Sequence, residues 1–245
     1  MPRVKIRIDD WDHFKSVITR LASKGHDGHP LSEIIFRGQA LGSYTLRSSL
    51  DRANSTLDVG IRNQIQAETC MQFRQRNPEL TDGMEDDQVL ALLQHNGCPT
   101  RLLDWSTTPY VAAFFAASDT LSATSDEDEF AVWALWRSSP AMLAGAGVGV
   151  SEPSVANNAR SKAQRGLFTT NNSLYATLND YIDAWDEGGK AETSLWQFLI
   201  PRREAVAARR DLWLMGIDYE RIFPDLTGAA RASYASALEV RAMTE

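Results

Sequence analysis

Apolar positions recur along the chain with two periods, and the period assigns each element. Val4, Ile6 and Ile8 alternate with Lys5 and Arg7, which predicts an opening strand. Phe14, Val17, Ile18 and Leu21 fall at helical spacing behind Asp9 or Asp10, either of which suits a helix N-cap. Gly25 to Pro30 is polar and reads as a loop. Ile34-Ile35-Phe36 is a short apolar run, which predicts a buried strand ending at Arg37-Gly38. Gly42-Ser43 then breaks the chain before a short extended piece, Tyr44 to Leu46. Residues 56–77 predict a helix with Ile61, Ile65 and Phe73 on its apolar side, and Leu80 to Met84 reads as a loop. Asp86-Asp87 place negative charge where a helix start favours it, and the helix from Val89 to His95 stops at Asn96-Gly97.

Thr100 to Asp104 reads as extended. Ser106-Thr107-Thr108-Pro109 opens a helix whose Val111, Ala112, Phe114, Phe115 and Ala116 mark it as core. Ser122 to Glu129 reads as an exposed loop, and Phe130 to Trp136 alternates as a strand does. Residues 138–158 are rich in Gly, Ala and Ser and read as a surface loop. Gly145 to Gly149 lacks the Lys-Ser/Thr ending of a phosphate loop, and no acid follows at the dinucleotide-fold distance. Leu195 to Ile200 predicts a strand stopped by Pro201. Arg202 to Leu214 predicts a helix carrying Val206, Leu212 and Trp213, and Tyr219 to Ala237 a helix pair around Pro224. No internal repeat or linker divides residues 1–245, and no βαβ rhythm organises them. The expectation is one α+β domain, a mixed sheet with flanking helices.

Composition changes this picture little and narrows function. Apolar residues make up 43% and charged residues 23%, an ordinary globular balance. The net charge of −7 repels phosphate backbones, so bulk nucleic-acid binding is disfavoured and nucleic-acid processing is the remotest reading. A local basic patch can still hold one small anion. Cys70 and Cys98 stand in no metal-ligand spacing, so neither a disulfide framework nor a metal site is expected. The chain opens without a signal-like apolar region and contains no membrane-length apolar run, which points to the cytoplasm.

Four stretches carry a family resemblance. Phe36-Arg37-Gly38-Gln39 with Tyr44 to Leu50 resembles the opening motif of the FRG domain family, named for its Phe-Arg-Gly. Leu93 to Ala116, with Gln94, His95, Arg101, Asp104 and Trp105, resembles its second motif. Arg160 to Thr169 and Phe223 to Gly228 are similar to a third and a fourth, so the likeness runs over about residues 30–235. A second likeness is to ADP-ribosyltransferases of the Arg-Ser-Glu type. There an aromatic-Arg-Gly strand is followed by a Ser-Thr-Ser element leading into a helix of Ala and Phe. Phe36-Arg37-Gly38 and Ser106-Thr107-Thr108 resemble these two elements. The third, a catalytic Glu, has no evident counterpart; Gln164 and Gln197 stand nearest.

The likeness implies an ADP-ribosyltransferase-like fold, NAD as substrate, and a toxin or phage-defence role; a ligand-binding module without catalysis is the alternative. The chemistry that would serve NAD gives each residue a reason. Arg37 offers guanidinium hydrogen bonds to a diphosphate, and Gly38, with Gln39 beside it, lets the backbone approach a ligand. Ser106 and Thr107 offer hydroxyls at a helix start, and Arg101 a second cation. Asp104 is the acid best placed by sequence to stabilise an oxocarbenium-like ribose. Gln94 and His95 can orient a ribose or leaving group, and Gln164 is an amide that packing alone does not explain. Structural readings stand beside these. Arg37 can pair with Asp104, His95 can cap its helix, and Asp104, Ser106 and Thr107 can cap the next one. Arg202, Arg203, Arg209 and Arg210 form either a solvated face or a docking face for an acidic protein partner.

Overall fold

The computed structural model describes residues 4–24, 30–123, 125–152, 159–186 and 194–242. Its strands are β1 (Val4–Arg7), β2 (Ile34–Gln39), β3 (Leu102–Ser106), β4 (Glu129–Trp136), β5 (Val148–Ser151), β6 (Gly166–Asn171) and β7 (Leu195–Pro201). They form one seven-stranded sheet in the order β1-β7-β4-β2-β3-β6-β5. β1 runs parallel to β7, and every other neighbouring pair is antiparallel. The helices are α1 (Trp11–Lys24), α2 (Ser49–Ala53), α3 (Val59–Arg76), α4 (Pro78–Thr81), α5 (Asp86–His95), α6 (Pro109–Ser122), α7 (Pro140–Leu143), α8 (Ala159–Gln164), α9 (Leu178–Asp186), α10 (Ala205–Leu214), α11 (Tyr219–Ile222) and α12 (Leu226–Ala242). The expected mixed sheet with flanking helices is therefore present. No helix among the described residues is long and apolar enough to cross a membrane.

The core lies on both faces of the sheet. On one face, Ile34 and Phe36 of β2 pack with Phe14 of α1, Ala112 and Phe114 of α6, and Leu212 of α10. On the other, Ile35 packs with Leu103 and Trp105 of β3 and with Leu178 and Ile182 of α9. A smaller cluster joins Val89, Leu90 and Leu93 of α5 to Cys70 of α3 and Leu102 of β3. β4 is central and its interior residues are buried on both faces, so Phe130 to Leu135 do not alternate between core and solvent as expected.

Three other expectations need correction. α3 buries Arg62, Gln66 and Cys70, while Ile61 is exposed, so its apolar stripe is not its inner face. The helix turns that way because Arg62 and Gln66 belong to a buried polar network. The supposed loop over 80–84 begins inside α4, and the supposed surface loop over 138–152 contains α7 and the edge strand β5. The remainder of that loop, residues 153–158, and residues 25–29 of the polar loop after α1 lie outside the described residues.

The sheet parts at one place. β2 and β3 share the register pair Phe36–Ser106 and no other. Beyond it the strands diverge, and the divergence leaves ladder groups that must find other partners. On the α6 side, the strand and helix are pressed together at Gly38. A Cβ there would stand 2.0 Å from the Ala112 carbonyl oxygen.

Candidate functional site

A cleft of about 360 Å³ opens where β2 and β3 part. Strand alternation places Asp104 and Ser106 on one side of β3, opposite Leu103 and Trp105 in the core. α5 brings Gln94 and His95 from one flank, and α6 brings Phe115 and Asp119 from the other. The α5 end is set by its C-cap, with Gly97 at φ +84° reversing the chain toward β3. α8 and the segment after α11 close the far wall with Arg160, Gln164 and Phe223.

Arg37 stands at the parting of the strands. Its Nη1 donates to the Asp104 carbonyl at 2.6 Å, and lies 3.6 Å from Asp104 Oδ2. The guanidinium thus spans the gap between the diverging strands. The expected Arg37–Asp104 pair is present, yet Asp104 is not buried: its side chain is 61% exposed against 18% for Arg37. Gln94 Nε2 donates to Asp104 Oδ1 at 2.7 Å, and Thr100 Oγ1 in turn donates to Gln94 Oε1. Burial lowers the Arg37 pKa; the Asp104 carboxylate opposes the fall, Arg52 adds to it and Asp119 opposes it. Arg37 Nε is buried without a hydrogen-bond partner.

Six of the expected site residues besides Arg37 line this cleft: Gly38, Gln94, His95, Asp104, Ser106 and Gln164. Their local bonds sharpen several roles. Ser106 Oγ donates to the Gln164 carbonyl at 2.8 Å and accepts from Thr108 N–H at 3.1 Å. It therefore serves the start of α6, whose N-cap is Thr108 rather than Asp104. Gln164 Nε2 donates to the Ile222 carbonyl at 3.3 Å, which ties α8 to α11. His95 is exposed at the rim.

Three expected ligand contacts fall elsewhere. Arg101 is fully buried away from the cleft. Its Nε donates to Asp51 Oδ2 at 3.1 Å, its Nη1 to Asn63 and to the Ser173 carbonyl, and its Nη2 to the Tyr175 carbonyl at 2.6 Å. Asp51 also takes Arg62 Nη1 at 2.8 Å, so one buried carboxylate joins two guanidiniums. Gln39 is buried between the Thr45 carbonyl and the Trp133 indole. Thr107 is exposed and outside the lining, with its N–H bonded to the Arg165 carbonyl. Gly38 lines the cleft, but the close approach it permits is to the α6 backbone.

Sequence reading left out the residues that complete the site. Phe115, read as core, presents its ring to the cleft beside Phe223, with centroids 5.8 Å apart at 89°. Asp119 also lines it, one helical turn beyond Phe115. The available signal was a single acid on an otherwise Ala- and Phe-rich helix. Asp119 makes no hydrogen bond or ion pair among the described residues. Asp119 is exposed at the cleft, and partial loss of hydration there raises its carboxyl pKa, against the pull of Arg231 and Arg37. Arg160 stands over the Phe223 ring at 5.3 Å and its Nε donates to Asp225 at 2.6 Å. The Arg160 bond holds the Asp225 carboxyl down to about 2.

Of the four arginines of the basic stripe, three are committed within the chain. Arg202 donates to the carbonyls of Thr120, Ala123 and Ser125. Arg209 lies over the Tyr219 ring at 5.1 Å. Arg203 is exposed, yet its Nη2 donates to the Asp9 carbonyl at 3.1 Å and its Nε lies 3.5 Å from Glu204; Arg210 is exposed. No cluster of three or more metal-binding side chains occurs among the described residues.

No curated protein and no solved structure matches the chain. A family model does match, over residues 32–125, and this span holds the Phe36-Arg37-Gly38 strand, the end of α5 and the β3–α6 turn. The far wall, from Arg160 to Phe168 and at Phe223, lies outside it. The residues that frame the parted strands thus fall within the match to the FRG domain model, which residues 32–125 of the chain fit.

Proposed function

We propose that this protein is an ADP-ribosyltransferase-like enzyme that binds NAD in the cleft and breaks its nicotinamide–ribosyl bond. The observation that carries the reading is a largely buried guanidinium, Arg37, set near an exposed carboxylate, Asp119, which has no hydrogen-bond partner among the described residues, in a cleft walled by Phe115, Phe168 and Phe223. NAD offers a diphosphate, flat rings and a ribose that gains positive charge as it reacts, and each has a counterpart here.

Arg37 holds the diphosphate through its fork of N–H groups. The aromatic walls take a base or the nicotinamide ring. As the C1′–N bond breaks, the bonding pair leaves with the nicotinamide nitrogen and positive charge develops on the ribose. Asp119 stabilises that charge and accepts the proton of the water or acceptor hydroxyl that adds to C1′. Gln94 and His95 orient the ribose. NAD depletion or transfer of this kind suits a toxin or phage-defence effector.

A second reading, nucleotide binding without turnover, is favoured by one detail: Asp104 is already held by Gln94 and Arg37. Nicotinamide release separates the two. The wild type should release nicotinamide, and Asp119→Asn should slow release by at least about 100-fold while ADP-ribose binding persists. Binding without release by the wild type would establish the second reading instead.

A further inference from the structure

Arg37, Gln94 and Asp104 line a second cavity, of about 250 Å³, as well as the main cleft. They are a partition between two chambers. Ser49 and Arg52 of α2 and the turn at Cys98 line the other side of the second chamber. Apart from the shared Arg37 and Gln94, this chamber plays no part in the reading of NAD chemistry given above.

Its charges do not balance. Asp104 is the single acid in the lining among the described residues, and its carboxylate already answers Arg37 and Gln94. Arg52 has no such answer. Its Nη1 donates to the Arg47 carbonyl at 2.6 Å, and it makes no ion pair among the described residues. Arg52 is close enough to Arg37 to depress the latter's pKa, so two like charges share one small space. Arg37 also keeps a buried Nε with no acceptor, and an unmade buried donor is costly. In a chain of net charge −7, a cationic pair with one engaged acid is a local reversal of the overall field.

An anion between the two guanidiniums relieves both features at once. A planar carboxylate is served by one guanidinium fork. A tetrahedral phosphoryl group has oxygens enough to accept from two forks on different sides. We propose that the second chamber is an anion subsite that takes a phosphoryl group between Arg37 and Arg52.

Inorganic phosphate is the probe, titrated by calorimetry at constant ionic strength into the wild type, Arg52→Ala and Arg76→Ala. Arg76 is an exposed cation outside both cavities and controls for loss of charge alone. Phosphate should bind the wild type and Arg76→Ala equally, and Arg52→Ala at least about tenfold more weakly. An unchanged Arg52→Ala, an equal loss in Arg76→Ala, or no uptake by the wild type would overturn the subsite. Acetate binding as well as phosphate would overturn the phosphoryl assignment. Saturating ADP-ribose then tells the source. Displacement of phosphate means that both chambers serve one ligand, and joint binding means that the phosphoryl group comes from a second molecule. Nicotinamide release enters none of these outcomes, so the NAD reading can fail without them.

Discussion

Two arginines, each inside a family-like motif, differ in burial, and burial predicts which of them the fold depends on. Arg101 has no exposed surface and joins Asp51 to the carbonyls of Ser173 and Tyr175. Removing it strands part of a buried carboxylate's field and several carbonyls. Arg101→Ala should therefore lower unfolding free energy by about 3–5 kcal/mol in urea titrations. Arg37 bonds the carbonyl of Asp104 in β3 and faces that residue's carboxylate, which water already reaches. Arg37→Ala should cost only about 1 kcal/mol in the same titration. If the two costs were equal, Arg37 would be structural as well. The sequence showed both arginines beside strands in an acidic chain and gave no means to rank them. Burial against Asp51, 50 residues upstream, is a long-range fact. Asp119 was missed for the same reason, since helical spacing marks α6 as core without saying where the sheet opens.

At the scale of elements, α6 is the piece that links fold to site. Gly38 lets its backbone sit directly on β2, and this seating sets Phe115 and Asp119 relative to Arg37. Gly38→Ala should destabilise the chain by about 1–3 kcal/mol or more, because a backbone and not a side-chain tip blocks the added methyl. An unchanged denaturation midpoint would contradict that seating. The start and core character of α6 were legible from Pro109 and its Ala and Phe residues. The facing of α3 was not, because its inner surface is Arg62 and Gln66, and apolar periodicity carries no signal for a buried polar network. α8 is latched to the segment before α12 by Arg160–Asp225. The Asp225 carboxyl, held near 2, lies below its unfolded range, so its contribution is complete above about pH 4 and is lost as pH falls toward about 2. Asp225→Asn should lower the melting temperature near neutral pH, and the gap from wild type should close across that acid window. A gap that stayed constant to the acid end would remove the latch from the account.

Across the whole molecule, one sheet does two tasks. Its central strands β7, β4 and β2 form a continuous buried ladder, while β2 and β3 touch at one register pair and then part. The parting places a cationic group inside an acidic protein and lets two helical flanks meet across it. The motif residues around Arg37, Gln94 and Asp104 were legible as a group because the chain brings them together through short connections. The far-wall residues Arg160 and Phe223 lie within family-like motifs, but they reach the cleft from distant segments, which no local pattern reveals. The central claim is that Arg37 in this cleft serves a nucleotide diphosphate. The most direct test is calorimetry of the wild type with NAD and with ADP-ribose, beside Arg37→Ala. The account predicts binding of both ligands by the wild type and loss of that binding in a variant that stays folded. Folded wild-type protein that binds neither, or Arg37→Ala that binds as the wild type does, would contradict it.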